Sequence, residues 1–137
     1  MIEFRHNRRV QFAEVDMAGV VHFANYFRYM EETEHAMWRQ WGLSVHTLSD
    51  GRTVGWPKVA ATCEYAAPLK FEDEVDLNLR VTHLGEKSMT YEVEFYLAGR
   101  RACLGRVASV CCVIENGRLT SISVPPELRA RLEGLHA

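Results

Sequence analysis

The spacing of apolar residues changes period along this chain, and that change limits what the chain can fold into. From about Asn25 to Trp41 the period is helical: Tyr26, Met30, Thr33, Met37 and Trp41 share one face, broadened by Phe27, Ala36 and Trp38. Arg28, Glu31, Glu32, His35 and Arg39 make the opposite face, and Gly42 is a C-terminal stop. Before this stretch, residues 3–15 read as a first strand, with Phe4, Val10, Phe12 and Val15 among polar neighbours. After the irregular residues 43–55, with their turn signal Ser49-Asp50-Gly51, the period becomes two. Val59, Ala61, Cys63 and Tyr65 alternate with Ala60, Thr62 and Glu64. Val75, Leu77, Leu79 and Val81 alternate with Asp76, Asn78, Arg80 and Thr82. Met89, Tyr91, Val93, Phe95 and Leu97 alternate with Thr90, Glu92, Glu94 and Tyr96. Such alternation predicts strands with one face on a core. Residues 101–114 are apolar on both faces, which predicts a central strand. Ala98-Gly99-Arg100 and Asn116-Gly117 are turns, and Pro125-Pro126-Glu127 opens a short helix.

The order is strand, long helix, four strands in a meander, short helix. It predicts an α+β domain, an antiparallel five-stranded sheet wrapped around one long central helix. The 137 residues make one domain, 1–137, able to bury a sizeable core without a disulfide or metal staple. An open sheet has edges, and edge-to-edge dimerisation would cover one.

Charge narrows the function classes. Sixteen Lys+Arg oppose eighteen Asp+Glu, a net charge of −2, which argues against general nucleic-acid binding. Thirteen of the cations are Arg, suited to forked contacts with phosphate or carboxylate. Met1 leads into the charged, alternating Ile2-Glu3-Phe4-Arg5-His6, with no apolar signal segment. The longest nearly apolar run, Val107 to Ile114, is too short to span a bilayer. A cytoplasmic protein without membrane contact is expected. Cys63, Cys103, Cys111 and Cys112 form no C-x-x-C pair, and histidines 6, 22, 35, 46, 83 and 136 lack metal-ligand spacing. Reduced, structural thiols and no metal are expected.

The stretch Val10 to Tyr26, VQFAEVDMAGVVHFANY, resembles the hotdog-fold acyl-CoA thioesterases, and above all their 4-hydroxybenzoyl-CoA thioesterase type. Asp16 is followed three residues later by Gly19, then by two β-branched residues, an aromatic pair and Asn25-Tyr26. The likeness continues in order through Trp38 to Leu43, Gly55 to Val59, Lys87-Ser88, and Arg118 ahead of Val124-Pro125.

The resemblance implies a hotdog fold and hydrolysis of an acyl-CoA thioester to a carboxylic acid and free CoA. It implies no cofactor beyond the CoA of the substrate. Asp16 would be the catalytic carboxylate, as nucleophile or as general base for water. Either role needs an ionised group, which the ordinary Asp value of about 3.9 allows at neutral pH. The backbone N–H of Phe23 would be the oxyanion donor at the helix N-terminus. Gly19, Val21, His22, Trp56, Val59 and Ala61 would surround the acyl group, and Lys87, Ser88 and Arg118 would hold the CoA nucleotide. The family's assembly implies a homodimer, further paired into a homotetramer. Asp16 and the helix N-terminus would come from one chain, and the strand 59–62 from its partner.

This chain departs from the family pattern in places. Phe23 stands where many relatives have His, and His22 comes one residue earlier, so no catalytic role passes to His22. Gly85, Glu86 and Thr120 replace nucleotide-holding Arg residues of the aromatic-substrate enzyme. Trp56 replaces a smaller residue, which would narrow the acyl pocket or stack on an aromatic acyl group.

Plainer readings stand beside these. Asp is favoured in turns and at helix starts. Asn25 reads as a cap, Tyr26 as a packed aromatic, and Glu31, Glu32 and Glu34 as a solvated or subunit-facing stretch. Two other functions remain open: a hydratase or dehydratase acting on acyl thioesters, and a non-catalytic module binding acyl-CoA or an aromatic ligand.

Overall fold

The computed structural model describes residues 1–48 and 50–134, so Ser49 of the expected turn and His136 lie outside the described residues. The chain forms β1 (Glu3–Arg9), a 3-10 turn (Phe12–Glu14), α1 (Phe23–Gln40), β2 (Val54–Gly55) and β3 (Lys58–Tyr65). It continues through β4 (Glu74–Leu84), β5 (Ser88–Leu97), β6 (Arg100–Val110), β7 (Cys112–Glu115), β8 (Arg118–Ser121) and α2 (Pro126–Glu133).

Five strands form an antiparallel sheet in the order β1-β4-β5-β6-β3, and β2-β7-β8 form a small second sheet. The expected five-stranded α+β architecture is present. The four-strand meander is not, because β3 pairs with β6 rather than β4. Within the large sheet, β4, β5 and β6 follow one another through tight turns. At the β5–β6 turn Ala98 and Gly99 both take positive φ, as do Asn116 and Gly117 in the β7–β8 hairpin.

Other boundaries shift for local reasons. The first strand stops at Arg9, opposite Glu74, rather than running to Val15. There the chain turns, and the Glu14 carboxylate accepts the Gln11 N–H at 2.7 Å. The long apolar run breaks at Cys111: β6 is an interior strand, β5 is the middle one, and Cys112–Glu115 joins the second sheet. β3 is not half-buried. It is an edge strand exposed on nearly all its length, with Val59 at 66% exposure.

α1 begins at Phe23, two residues earlier than its apolar spacing indicates, because His22 rather than Asn25 caps it. The His22 Nδ1 accepts the Ala24 N–H at 3.2 Å. The helix lies against one face of the large sheet. Tyr26 and Tyr29 meet Phe95 at ring-centroid distances of 5.4 and 6.4 Å. Met30 lies over Gly105, where an added Cβ would sit 2.0 Å from its sulfur. That position is glycine because helix and sheet approach closely there.

The buried face of α1 includes two residues outside the expected stripe, Tyr29 and Glu34. Glu34 is fully buried rather than solvated. Its carboxylate accepts from Lys58 Nζ at 2.7 Å, Tyr91 Oη at 2.9 Å and Trp38 Nε1 at 3.2 Å. Burial and the Glu34 charge hold the Tyr91 hydroxyl well above its usual range. The four thiols are unpaired: Cys103, Cys111 and Cys112 are buried and Cys63 is half-buried. No helix among the described residues is long and apolar enough to cross a membrane.

Candidate active site

Residues 15–21 form a small hairpin immediately ahead of α1. Val15 bridges Val21, the Asp16 N–H donates to the Val20 carbonyl at 2.8 Å, and the Gly19 N–H donates to the Asp16 carbonyl at 3.0 Å. The turn closes through Gly19 at φ +81°, a conformation that favours glycine. Gly19 therefore shapes the backbone that carries Asp16.

Asp16 is exposed. Its Oδ1 accepts the Ala18 N–H at 2.8 Å and the Val20 N–H at 3.4 Å. These two contacts orient the carboxylate, and Oδ2 meets no donor among the described residues. Five residues on, Val21 is buried, and the next residue, His22, caps α1 with its ring stacked on Phe23 at 4.7 Å. The Phe23 N–H, the first of α1, has no hydrogen-bond partner among the described residues. Asp16, Val21, Phe23, Tyr26 and Tyr65 line one open cleft of about 390 Å³, floored by residues 66–68.

Glu14 fastens this hairpin to the helix. Its carbonyl accepts from the His22 N–H at 2.9 Å and from Asn25 Nδ2 at 2.8 Å. Its carboxylate accepts from Tyr29 Oη at 2.8 Å and from Arg8 at 2.7 Å. The Arg8 guanidinium also lies 3.9 Å from the Tyr29 ring centre. Burial first, then the hydrogen bond to Glu14, raises the Tyr29 hydroxyl far above its ordinary value. Asn25 thus ties the helix start to Glu14 instead of capping it.

Tyr65 stands at the end of β3, where the alternation predicts a core-facing residue. It is partly exposed, and its hydroxyl donates to the Phe23 carbonyl at 3.1 Å. Its ring meets Tyr26 edge-on at 4.8 Å. Burial, helped by the Cys63 and Cys103 thiols, pushes the Tyr65 hydroxyl up to about 12. Nothing in the alternation of β3 distinguishes Tyr65 from its neighbours; the contact arises from the β3–β6 pairing.

The remaining sequence candidates lie elsewhere in the chain. Trp56 is buried and stacks on Trp38 at 5.8 Å, so it does not line the cleft of its own chain. Trp38 lies fifteen residues beyond Phe23, roughly 22 Å along a helix. Val59 and Ala61 are exposed along the β3 edge. Lys87 and Ser88 lie at the β4–β5 turn, and Arg118 begins β8. Through Ser109 of β6, the Ser88 end of β5 neighbours the Lys58 end of β3, a strand length of roughly 23 Å from Tyr65.

Residues 10–132 match the profile of the Thioesterase-like superfamily. A protein of Aquifex aeolicus (strain VF5) named as an esterase is 31% identical over 127 residues, covering 91% of this chain and 94% of its own length. A 1,4-dihydroxy-2-naphthoyl-CoA hydrolase of Crocosphaera subtropica (strain ATCC 51142 / BH68) is 24% identical over 126 residues, covering 92% of this chain and 85% of its own. Among solved structures, the BH1999 gentisyl-coenzyme A thioesterase superposes with a TM-score of 0.80 at 31% identity, covering 91% of this chain and 98% of its own.

Proposed function

Since the chain belongs to the Thioesterase-like superfamily, we propose that it hydrolyses an acyl-CoA thioester to a carboxylic acid and free CoA, through Asp16. One observation carries this reading. Asp16, whose carboxylate is oriented and exposed, and Phe23, whose N–H is the unpartnered first of an 18-residue helix, line one open cleft. The thioester carbonyl oxygen sits at the Phe23 N–H, where the helix dipole stabilises the charge that develops on it.

Two steps are open to Asp16 Oδ2. As nucleophile it attacks the carbonyl carbon, expels CoA thiolate and leaves a mixed anhydride, which water then hydrolyses. As general base it takes a proton from the attacking water. Both steps use the ionised carboxylate and need only water as co-reactant. Phe23, Tyr26 and Tyr65 give the cleft an aromatic wall. That wall, and the aromatic acyl groups in the names of two relatives, support an aromatic acyl group as substrate. The reading extends to a cytoplasmic homodimer, paired further into a tetramer. Antiparallel pairing of the exposed β3 edge with a second copy sets the Lys58 end of one strand beside the Tyr65 end of the other. Val59, Ala61, Trp56, Lys87 and Ser88 of the second copy then approach the Asp16 cleft of the first, and Arg118 with them.

The test is free-thiol release across aromatic and aliphatic acyl-CoAs, comparing wild type with Asp16→Asn. The amide keeps the shape and the turn contacts. A loss of at least about a hundredfold in kcat, with aromatic esters preferred, is expected. Equal rates would remove Asp16 from the chemistry. Hydration of an enoyl-CoA without thiol release would replace hydrolysis with the hydratase reading, and ester binding without turnover with the binding module.

A further inference from the structure

The helix start that carries the Phe23 N–H is held from two sides. On one side is the Glu14 carbonyl, which engages His22 and Asn25. On the other is Tyr65, whose hydroxyl reaches from the edge strand to the Phe23 carbonyl at 3.1 Å. As the first carbonyl of α1, this oxygen also takes the N–H of Phe27 in the helix ladder, so the Tyr65 hydroxyl occupies its second lone pair. The Tyr65 ring is itself fixed, because it stands edge-on to Tyr26, which packs on Phe95 in the middle strand. Asp16, Tyr26 and Tyr65 are the described cleft residues with hydrogen-bonding side chains, and Tyr26 is buried.

We propose that Tyr65 is a positioning residue for the hydrolysis assigned above: it ties β3 to the first turn of α1 and so sets the direction of the Phe23 N–H. The proposal rests on the thioesterase reading for its kinetic consequence but not for its structural one. Rotation of the first turn moves the N–H and the carbonyl of Phe23 together. A donor on that carbonyl therefore controls where the oxyanion donor points. β3 is an edge strand, so in the dimer proposed above a shift of this strand on pairing would be transmitted to the helix start through the same hydrogen bond. With its pKa raised to about 12, the hydroxyl keeps its proton and stays a donor throughout neutral pH.

Tyr65→Phe removes only the hydroxyl and retains the ring against Tyr26. Three readouts are compared with wild type: steady-state thiol release from pH 6 to 9, thermal unfolding, and amide hydrogen exchange at Phe27. One neutral hydrogen bond predicts kcat lower by roughly three- to tenfold, KM within about twofold, and an unchanged shape of the pH profile. Exchange at Phe27 should accelerate by a similar factor while Tm falls by no more than about 4 °C. Wild-type exchange at Phe27 would overturn the proposal, since the hydroxyl would then hold nothing. An altered pH profile would overturn it by making Tyr65 an acid or base, and a raised KM with wild-type kcat would make it a binding contact. If wild type releases no thiol from any ester, the hydrolytic reading falls by itself, and exchange at Phe27 still decides what Tyr65 does.

Discussion

Asp16 commits one carboxylate oxygen to its own turn and leaves the other facing solvent. The plain reading of Asp as a turn residue and the catalytic reading proposed above therefore involve different oxygens of the same side chain. The Asx-type contact to Ala18 fixes Oδ1 and so sets the direction of Oδ2, the oxygen the proposal uses. Asn at this position accepts the same contact, so Asp16→Asn should fold with wild-type stability, and its loss of activity can be read as chemistry. A different carboxylate controls acid stability. Glu92, nearly covered on the outer face of the sheet, is bridged by Arg106 and by Arg80 at 3.2 Å. The Arg106 contact, followed by Arg80, outweighs burial and lowers its pKa. A carboxylate depressed in the folded state adds stability above its unfolded value of about 4.3 and loses it as pH falls further. Urea unfolding of wild type should therefore show stability falling below about pH 4.3. Glu92→Gln should be less stable at pH 7 and should show a smaller drop on acidification.

At the scale of elements, the closest approach is between α1 and β6, where Met30 lies over Gly105. A Cβ at Gly105 cannot avoid the Met30 sulfur, although the thioether chain is flexible enough to yield in part. Gly105→Ala should cost about 1–3 kcal/mol in denaturant unfolding, as overpacking does. An unchanged midpoint would mean that helix and sheet have more freedom than this contact allows. The same interface explains why α1 buries a wider face than its spacing indicates. Tyr29 and Glu34 lie outside the stripe drawn from residues 26, 30, 33 and 37, yet Phe95 packs on the one and Tyr91 and Lys58 reach the other. A helix pattern read from sequence assumes one partner surface, whereas α1 meets β1, β3, β4 and β6.

At the scale of the whole molecule, β3 is one of the two edge strands of the large sheet, β1 being the other. It pairs on one side only, and Val59, Ala61 and Tyr65 stand exposed along it, an edge suited to pairing with a second copy. Light scattering should give twice the chain mass or a multiple of it. Ala61→Lys, which by the Lys58-to-Tyr65 register proposed above sets a charge and its twin near the two-fold axis, should shift the assembly toward monomer and lower specific activity in parallel at low protein concentration. A monomeric wild type with full activity would remove the second copy from the site.

The sequence by itself located the long helix, the alternating strands and the turns between them. Period two identified β4 and β5, period 3.6 identified α1, and paired turn residues located the β5–β6 and β7–β8 turns, because each of these signals is local. The run from Val10 to Tyr26 carried Asp16, Gly19 and Phe23 for the same reason: hairpin, cap and helix start are contiguous in the chain. Only the tertiary structure decided the partner of β3, the break at Cys111, the burial of Glu34, and the reach of Tyr65 to Phe23. Each of these joins residues more than twenty positions apart or depends on which strand lies beside which. Alternation states that a strand has two faces, but not what covers either of them.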